Sequence, residues 1–104
     1  VAFMEWLQRQ PAADQIRIPL LLTIAFAAHL PASRLTQIIA AQRVEHERRL
    51  AGYRAARDLL ARAEAADGRS PHPAQAATLE YGVRHEQAVL DWFDELPQLL
   101  GIPA

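Results

Sequence analysis

Residues 32–66 read ASRLTQIIAAQRVEHERRLAGYRAARDLLARAEAA, with no proline and a single glycine, Gly52. The stretch is dominated by arginine, alanine, glutamate, glutamine and leucine, which are all good helix formers. A continuous helix over these residues would be about 50 Å long at 1.5 Å per residue. One stripe along it has alternating spacings of four and three, the heptad pattern of a coiled coil, with a polar middle that predicts a mixed seam. The stripe comprises Leu35, Ile39, Gln42, His46, Arg49, Tyr53, Ala56, Leu60 and Ala63, and is widened by Ile38, Leu50 and Leu59.

A second long helix is predicted over residues 74–96, after a turn at residues 67–73 in which Gly68 is a plausible C-terminal cap. We expect Pro97 to end this helix and Gly101 and Pro103 to mark a loose tail. Two neighbouring faces carry its apolar residues. The first has Leu79, Val83, Glu86, Leu90 and Phe93, and the second has Gly82, His85, Val89, Trp92 and Leu96.

Charge is divided unevenly between these two helices. Residues 32–66 carry seven arginines and four acids, a balance of +3, whereas residues 74–96 carry one arginine and five acids, a balance of −4. Opposite charges help to select partners and register, although exposed pairs add little stability. The short turn and this charge division predict an antiparallel hairpin of the two helices.

Two shorter helices are predicted ahead of the hairpin. Residues 3–10 place Phe3, Trp6 and Leu7 on one face, and Pro11 ends that segment. Residues 17–30 form an almost entirely apolar segment with Pro19 in its first turn. Because a helix that is apolar nearly all round is usually buried, we expect this second helix at the centre of the core.

Several function classes are disfavoured by the composition. The chain has no cysteine, and its formal net charge of −1 gives no overall nucleic-acid footprint. The apolar run 18–30 is shorter than the roughly 20 residues that cross a bilayer, so we expect no membrane span and a cytoplasmic location. His29, His46, His72 and His85 lack the spacing of metal ligands, and Glu45, Glu47, Glu86 and Asp91 fit a solvated helix face. We therefore expect no catalytic residues, no metal and no cofactor.

The expected hairpin carries more apolar surface than two short helices can cover. Extended apolar patches usually mark an interface, and a two-fold dimer is the simplest way for one chain type to cover them. The sequence predicts an all-α single domain over residues 1–104: a short helix, an apolar helix, and a long antiparallel helical hairpin that forms a coiled-coil-like homodimer. The core and dimer interface are predicted to include Leu35, Ile39, Leu50, Tyr53, Leu60, Leu79, Val83, Leu90, Trp92, Phe93 and Leu96.

Four segments in order resemble a known family. They are Glu5-Trp6-Leu7, the run LLLTIAFAAHLP at 20–31, the long helix with Gln42 and Arg43, and the run TLEYGVRHEQAVLDWFDEL at 78–96. Together they are similar to the C-terminal domain of bacterial PadR-like transcriptional regulators of the virulence-activator type. Phe93 departs from the family pattern, where a leucine is usual.

The resemblance implies a homodimerising domain that positions two DNA-binding modules. Such regulators carry an N-terminal winged helix-turn-helix, which is missing from this chain, so we expect DNA contact only through that absent domain. Because the chain begins with Val1, we expect a fragment or a processed product. The alternative is a helical domain that senses an aromatic small-molecule effector, because aromatic faces stack on flat ligands. Its pocket would use Trp6, Tyr53, His85 and Trp92.

Overall fold

The computed structural model describes residues 2–14, 18–67 and 73–102. Within these ranges the regular elements are all helices, which confirms the all-α prediction. The chain divides into two compact units, Val1–Leu30 and Pro31–Ala104, and each is described by itself.

The first unit begins with a short amphipathic helix, α1 (Ala2–Leu7). The rings of Phe3 and Trp6 stack with centroids 6.2 Å apart. The prediction extended this helix to Gln10, but the structure ends it three residues earlier. A closing turn follows, in which the Gln8 amide donates to Met4 O at 3.3 Å and the Arg9 amide donates to Trp6 O at 3.1 Å.

The apolar segment forms two pieces instead of the single predicted helix over 17–30. Helix α2 covers Pro19–Ala25 with Pro19 in its first turn, as expected, and a 3₁₀ turn covers Ala27–His29. Phe26 breaks the helix with φ −110° and ψ 26°. Leu30 is extended, with φ −110° and ψ 145°, because the residue before a proline avoids helical angles.

The expectation that this apolar helix forms the centre of the core is wrong. Leu20 is its buried residue, whereas Leu22 and Phe26 are 65% and 58% exposed. The predicted helix is broken at Phe26, so its apolar residues do not form one continuous helical surface for other elements to cover. The larger buried cluster lies in the second unit.

The second unit contains the two long helices α3 (Ala32–Asp67) and α4 (Pro73–Leu99). The Pro31 carbonyl accepts the first hydrogen bonds of α3, from the amides of Arg34 at 3.0 Å and Leu35 at 3.1 Å. The predicted bounds of α3 are therefore confirmed to within a residue. The predicted cap at Gly68 lies outside the described residues. None of the helices in the described ranges is long and apolar enough to cross a membrane.

Helix α4 does not end at Pro97 as predicted, but continues through it to Leu99. The end is set by Gly101, which has φ +71°, a conformation that favours glycine. The Ile102 amide donates to Pro97 O at 2.8 Å, and the Gly101 amide donates to Gln98 O at 3.1 Å. These two bonds form a Schellman motif, which satisfies the last carbonyls of the helix and folds Ile102 back.

Helices α3 and α4 pack as an antiparallel hairpin. Arg43, early in α3, pairs with Asp94, late in α4. Arg57, late in α3, pairs with Glu80, early in α4. Buried residues occupy the contact between these helices. They are Leu35 and Leu50 from α3, and Gly82, Val83, Glu86, Leu90, Phe93 and Leu96 from α4.

The face of α3 that packs on α4 differs from the predicted stripe at two positions. Leu50 is buried and Arg43 is half-buried, whereas Arg49 and Gln42 are exposed. The stripe was drawn with a period of 3.5 residues, but a straight helix has 3.6 residues per turn and drifts by about 20° per heptad. Leu50, which was predicted to widen the stripe, therefore faces α4, whereas Arg49 of the heptad pattern does not.

Candidate functional site

A buried polar pair lies at the middle of the hairpin. His46 Nδ1 and Glu86 Oε2 are 2.5 Å apart, and their side chains are only 14% and 5% exposed. The expectation that Glu86 lies on a solvated helix face is therefore wrong, because the residue packs on α3, where His46 is its polar partner. The His46 ring also lies 5.9 Å from the ring of Phe93. Because each polar side chain satisfies the other inside an apolar contact, sliding the helices past one another would leave both unpaired. The pair therefore favours the observed register of α3 against α4.

Ion pairs flank this buried pair on the hairpin surface. Arg43 donates to Asp94 at 2.6 Å, and Glu80 accepts from Arg84 at 3.2 Å and from Arg57 at 3.3 Å. Arg84 and then Arg57 hold the pKa of the Glu80 carboxyl below its usual value by hydrogen bonds to the charged form. The prediction that the basic helix neighbours the acidic one is confirmed.

The predicted core and interface residues form two groups that differ in solvent exposure. Those at the α3–α4 contact are buried, and the rest retain exposed surface, including Tyr53 at 38%. Packing within one chain buries the first group, while the second group keeps part of its surface exposed. The buried residues are Leu35, Leu50, Val83, Leu90, Phe93 and Leu96, and the half-buried residues are Ile39, Leu60, Leu79 and Trp92.

The predicted pocket of four aromatic and imidazole side chains is not assembled within the hairpin. Tyr53 lies against Gly82, ten residues before Trp92 on α4, which is about 15 Å along the helix. His85 stacks on Tyr81 at 6.0 Å, and Trp92 contacts Phe93 at 5.4 Å. Trp6 belongs to the first unit, where it lines a separate cavity of about 370 Å³ with residues 7 and 9–12.

An apolar groove runs along the side of the hairpin near the connection between the helices, and we call it the turn-end groove. It has a volume of about 650 Å³ and is open to solvent. Leu59, which is 64% exposed, stands on its rim. The lining residues are Ala56, Leu59, Leu60, Ala63, Gln75, Thr78 and Leu79.

A second apolar cavity lies at the opposite end of the hairpin, and we call it the end cleft. Its volume is about 380 Å³, and Arg43 is its single charged lining residue. The Schellman turn closes one side of it by folding Ile102 toward Pro97. The cleft is lined by Ala32, Leu35, Thr36, Ile39, Ala40, Arg43, Phe93, Leu96, Pro97, Leu100 and Ile102.

Sequence reasoning missed the end cleft because it ended α4 at Pro97. Leu100 and Ile102 were therefore assigned to a loose tail and not to a cavity wall. One signal could have found it: an apolar residue directly after Gly101 is typical of the Schellman motif. Among the residues that the structure describes, no group of three metal-ligating side chains comes together.

Comparison with protein families matches residues 16–101 to the family described as "Virulence activator alpha C-term". The chain belongs to this virulence activator alpha C-terminal family. The match includes α2, α3 and α4, whereas α1 with Glu5, Trp6 and Leu7 lies outside it. Neither the curated proteins nor the solved structures gave a significant match.

Membership in the virulence activator alpha C-terminal family gives the chain a regulatory context. The family consists of regulatory domains of transcriptional activators and is not an enzyme class. The turn-end groove lies wholly within the matched residues, and so does the end cleft except for Ile102. Both surfaces therefore belong to the regulatory domain itself.

Proposed function

We propose that this chain is the homodimerisation domain of a PadR-like transcriptional regulator and that it holds two DNA-binding domains at a fixed separation. One observation carries the proposal: the hairpin leaves large apolar side chains in solvent along both of its helices. Val44 and Leu59 on α3 are 53% and 64% exposed, and Tyr81 and Leu99 on α4 are 67% and 62% exposed.

Two helices alone make a thin core, because most helical stability in proteins comes from packing of an apolar face. A second hairpin would convert the pair into a four-helix bundle, in which each helix has two neighbours. A two-fold axis is the simplest way to place a second copy, since one patch then serves both subunits. Burying a further 1,000 Å² of apolar surface would contribute roughly 25 kcal/mol before the costs of association.

The turn-end groove is the surface that we assign to the partner subunit. Its lining is largely aliphatic, and Leu59 projects from it without being needed for the contact between α3 and α4 in one chain. Open grooves lined by leucine and alanine suit the packing of another helix. Dimerisation through this groove would fix the spacing of two N-terminal DNA-binding modules and hence of two half-sites.

Introducing a charged side chain into the turn-end groove tests whether the partner subunit packs there. Leu59→Glu places a carboxylate where the partner would pack, and because Leu59 is mostly exposed the hairpin should keep its helicity. We expect sedimentation velocity at micromolar concentration to report a dimer for the parent chain and a monomer for this variant. Ala65→Glu is the matched control, since Ala65 is exposed on the same helix outside the groove and lies about 120° around the helix from Leu59. Equal masses for both variants would contradict this assignment of the interface.

A further inference from the structure

We propose that the end cleft binds an amphipathic monocarboxylate, with its aliphatic chain inside the cleft and its carboxylate on Arg43. The inference goes beyond dimerisation and does not depend on it, because the cleft and the turn-end groove lie at opposite ends of the hairpin. The volume of about 380 Å³ falls in the lower part of the range of small-molecule pockets.

The lining selects an aliphatic group. Leu35, Ile39 and Leu96 form the walls near the contact of the helices, and Leu100 and Ile102 form the wall made by the end of α4. Phe93 is the single aromatic residue of the lining, so a flat ligand would have no second ring against which to stack. The lining of α3 extends from Ala32 to Arg43, about 16 Å at 1.5 Å per residue, which suits an extended chain of medium length.

The rim selects a carboxylate. Arg43 is half-buried, and its guanidinium carbon lies 5.7 Å from the centre of the Phe93 ring, which holds it over the apolar floor. A guanidinium presents five donors in a planar fork that matches a carboxylate. The Asp94 bond at 2.6 Å engages the Nη2 group, while Nη1 is 3.9 Å from Glu47. Donor capacity therefore remains for a ligand.

Asp94 competes with the proposed ligand for Arg43. Its side chain is 67% exposed and can be solvated when it leaves the arginine. The carboxylate of Asp94 and that of the ligand therefore compete for the guanidinium of Arg43. Removing the charge of Asp94 should strengthen binding of the ligand. Removing the charge of Arg43 should weaken ligand binding, whereas removing the charge of Asp94 should strengthen it. These opposite effects distinguish recognition of a carboxylate from unspecific binding of an apolar molecule.

Calorimetric titration of the full chain with decanoate and decanol provides the test. We expect decanoate to bind more tightly than decanol, Arg43→Gln to weaken decanoate by about tenfold, and Asp94→Asn to strengthen it. Neither substitution should change decanol binding. Equal affinities of the parent for decanoate and decanol would overturn the proposal, and so would weaker decanoate binding by Asp94→Asn.

A second pair of variants places the ligand in the cleft. Ala40 lines it and is exposed, so Ala40→Phe should fill the cavity and abolish binding without disturbing the core. Ala41→Phe adds the same ring one residue away, outside the lining, and should bind like the parent. Leu59→Glu should also bind like the parent, so loss of dimerisation and loss of ligand binding are distinguishable. Binding by Ala40→Phe, or no binding by the parent chain, would contradict the assignment.

Discussion

Tyr53 on α3 lies directly against Gly82 on α4. A Cβ atom built on Gly82 would be 2.6 Å from both Cδ1 and Cε1 of the Tyr53 ring, so no larger residue fits without movement of that ring. Gly82 is buried, whereas Tyr53 keeps 38% of its surface exposed. The contact lets the two helices approach closely beside the His46–Glu86 pair, at the cost of a poor helix former inside α4.

The two glycines inside helices should respond to alanine with opposite signs. Nothing lies within 4 Å of a Cβ at Gly52, so Gly52→Ala should raise the free energy of unfolding by up to about 1 kcal/mol through helix propensity. Gly82→Ala gains the same propensity but displaces Tyr53, and overpacking of this kind costs about 1–3 kcal/mol. Urea unfolding followed by circular dichroism measures both. Stabilisation by Gly82→Ala would show that Tyr53 moves freely.

Removing one member of the buried pair should be more damaging than removing both. His46→Ala leaves the Glu86 carboxylate, in a residue that is only 4% exposed, without its partner and should cost about 3–5 kcal/mol. The double variant with leucine at both positions keeps the volume apolar and should be close to neutral, or stabilising. Thermal unfolding of the parent, of His46→Ala and of the double leucine variant measures these differences in stability. A His46→Ala protein as stable as its parent would remove the assigned role in register.

The Glu80 cluster should make stability depend on acid. Because Arg84 and Arg57 lower the pKa of Glu80 in the folded chain, its contribution is present above the ordinary value of 4.5 and is lost as the pH falls below it. Glu80→Gln should therefore be less stable than the parent at neutral pH. The difference in melting temperature should shrink in acid, and a difference that is constant with pH would contradict the cause assigned to the shift.

The end of α4 should depend on the left-handed conformation at Gly101. Gly101→Ala places a Cβ at φ +71° and should lower the free energy of unfolding by about 1–2 kcal/mol. Gly101→Asn should cost less, since asparagine tolerates this conformation at helix ends. Chemical denaturation compares the two. Equal losses for alanine and asparagine would mean that the side chain, and not the backbone angle, matters at this position.

Much of the hairpin follows from the sequence. The absence of proline between residues 32 and 66 predicts α3, and the spacing of Leu79, Val83, Glu86, Leu90 and Phe93 predicts the face of α4 that packs on it. Charge division predicts which helices are neighbours. These features are readable because a long helix repeats its pattern many times, so single exceptions do not obscure it.

The remaining differences arise where one residue decides the local conformation. Phe26 interrupts the apolar helix although its side chain suits a helix interior, and Pro97 stays inside α4 although proline usually marks an end. Arg49 lies outside the packed face because the helix drifts by a small angle relative to the heptad pattern. The end cleft depends mainly on Gly101, where the turn folds Ile102 back toward the helix. The position of Ile102 follows from the three-dimensional path of the chain and not from its local sequence.

The association state of the unmodified chain tests the central claim most directly. Sedimentation equilibrium over a range of micromolar concentrations should give a mass of about twice the 11.6 kDa of one chain, falling toward one chain only on dilution. The apolar side chains along α3 and α4 would then have the second copy that they require. A mass of one chain at every concentration would contradict the account.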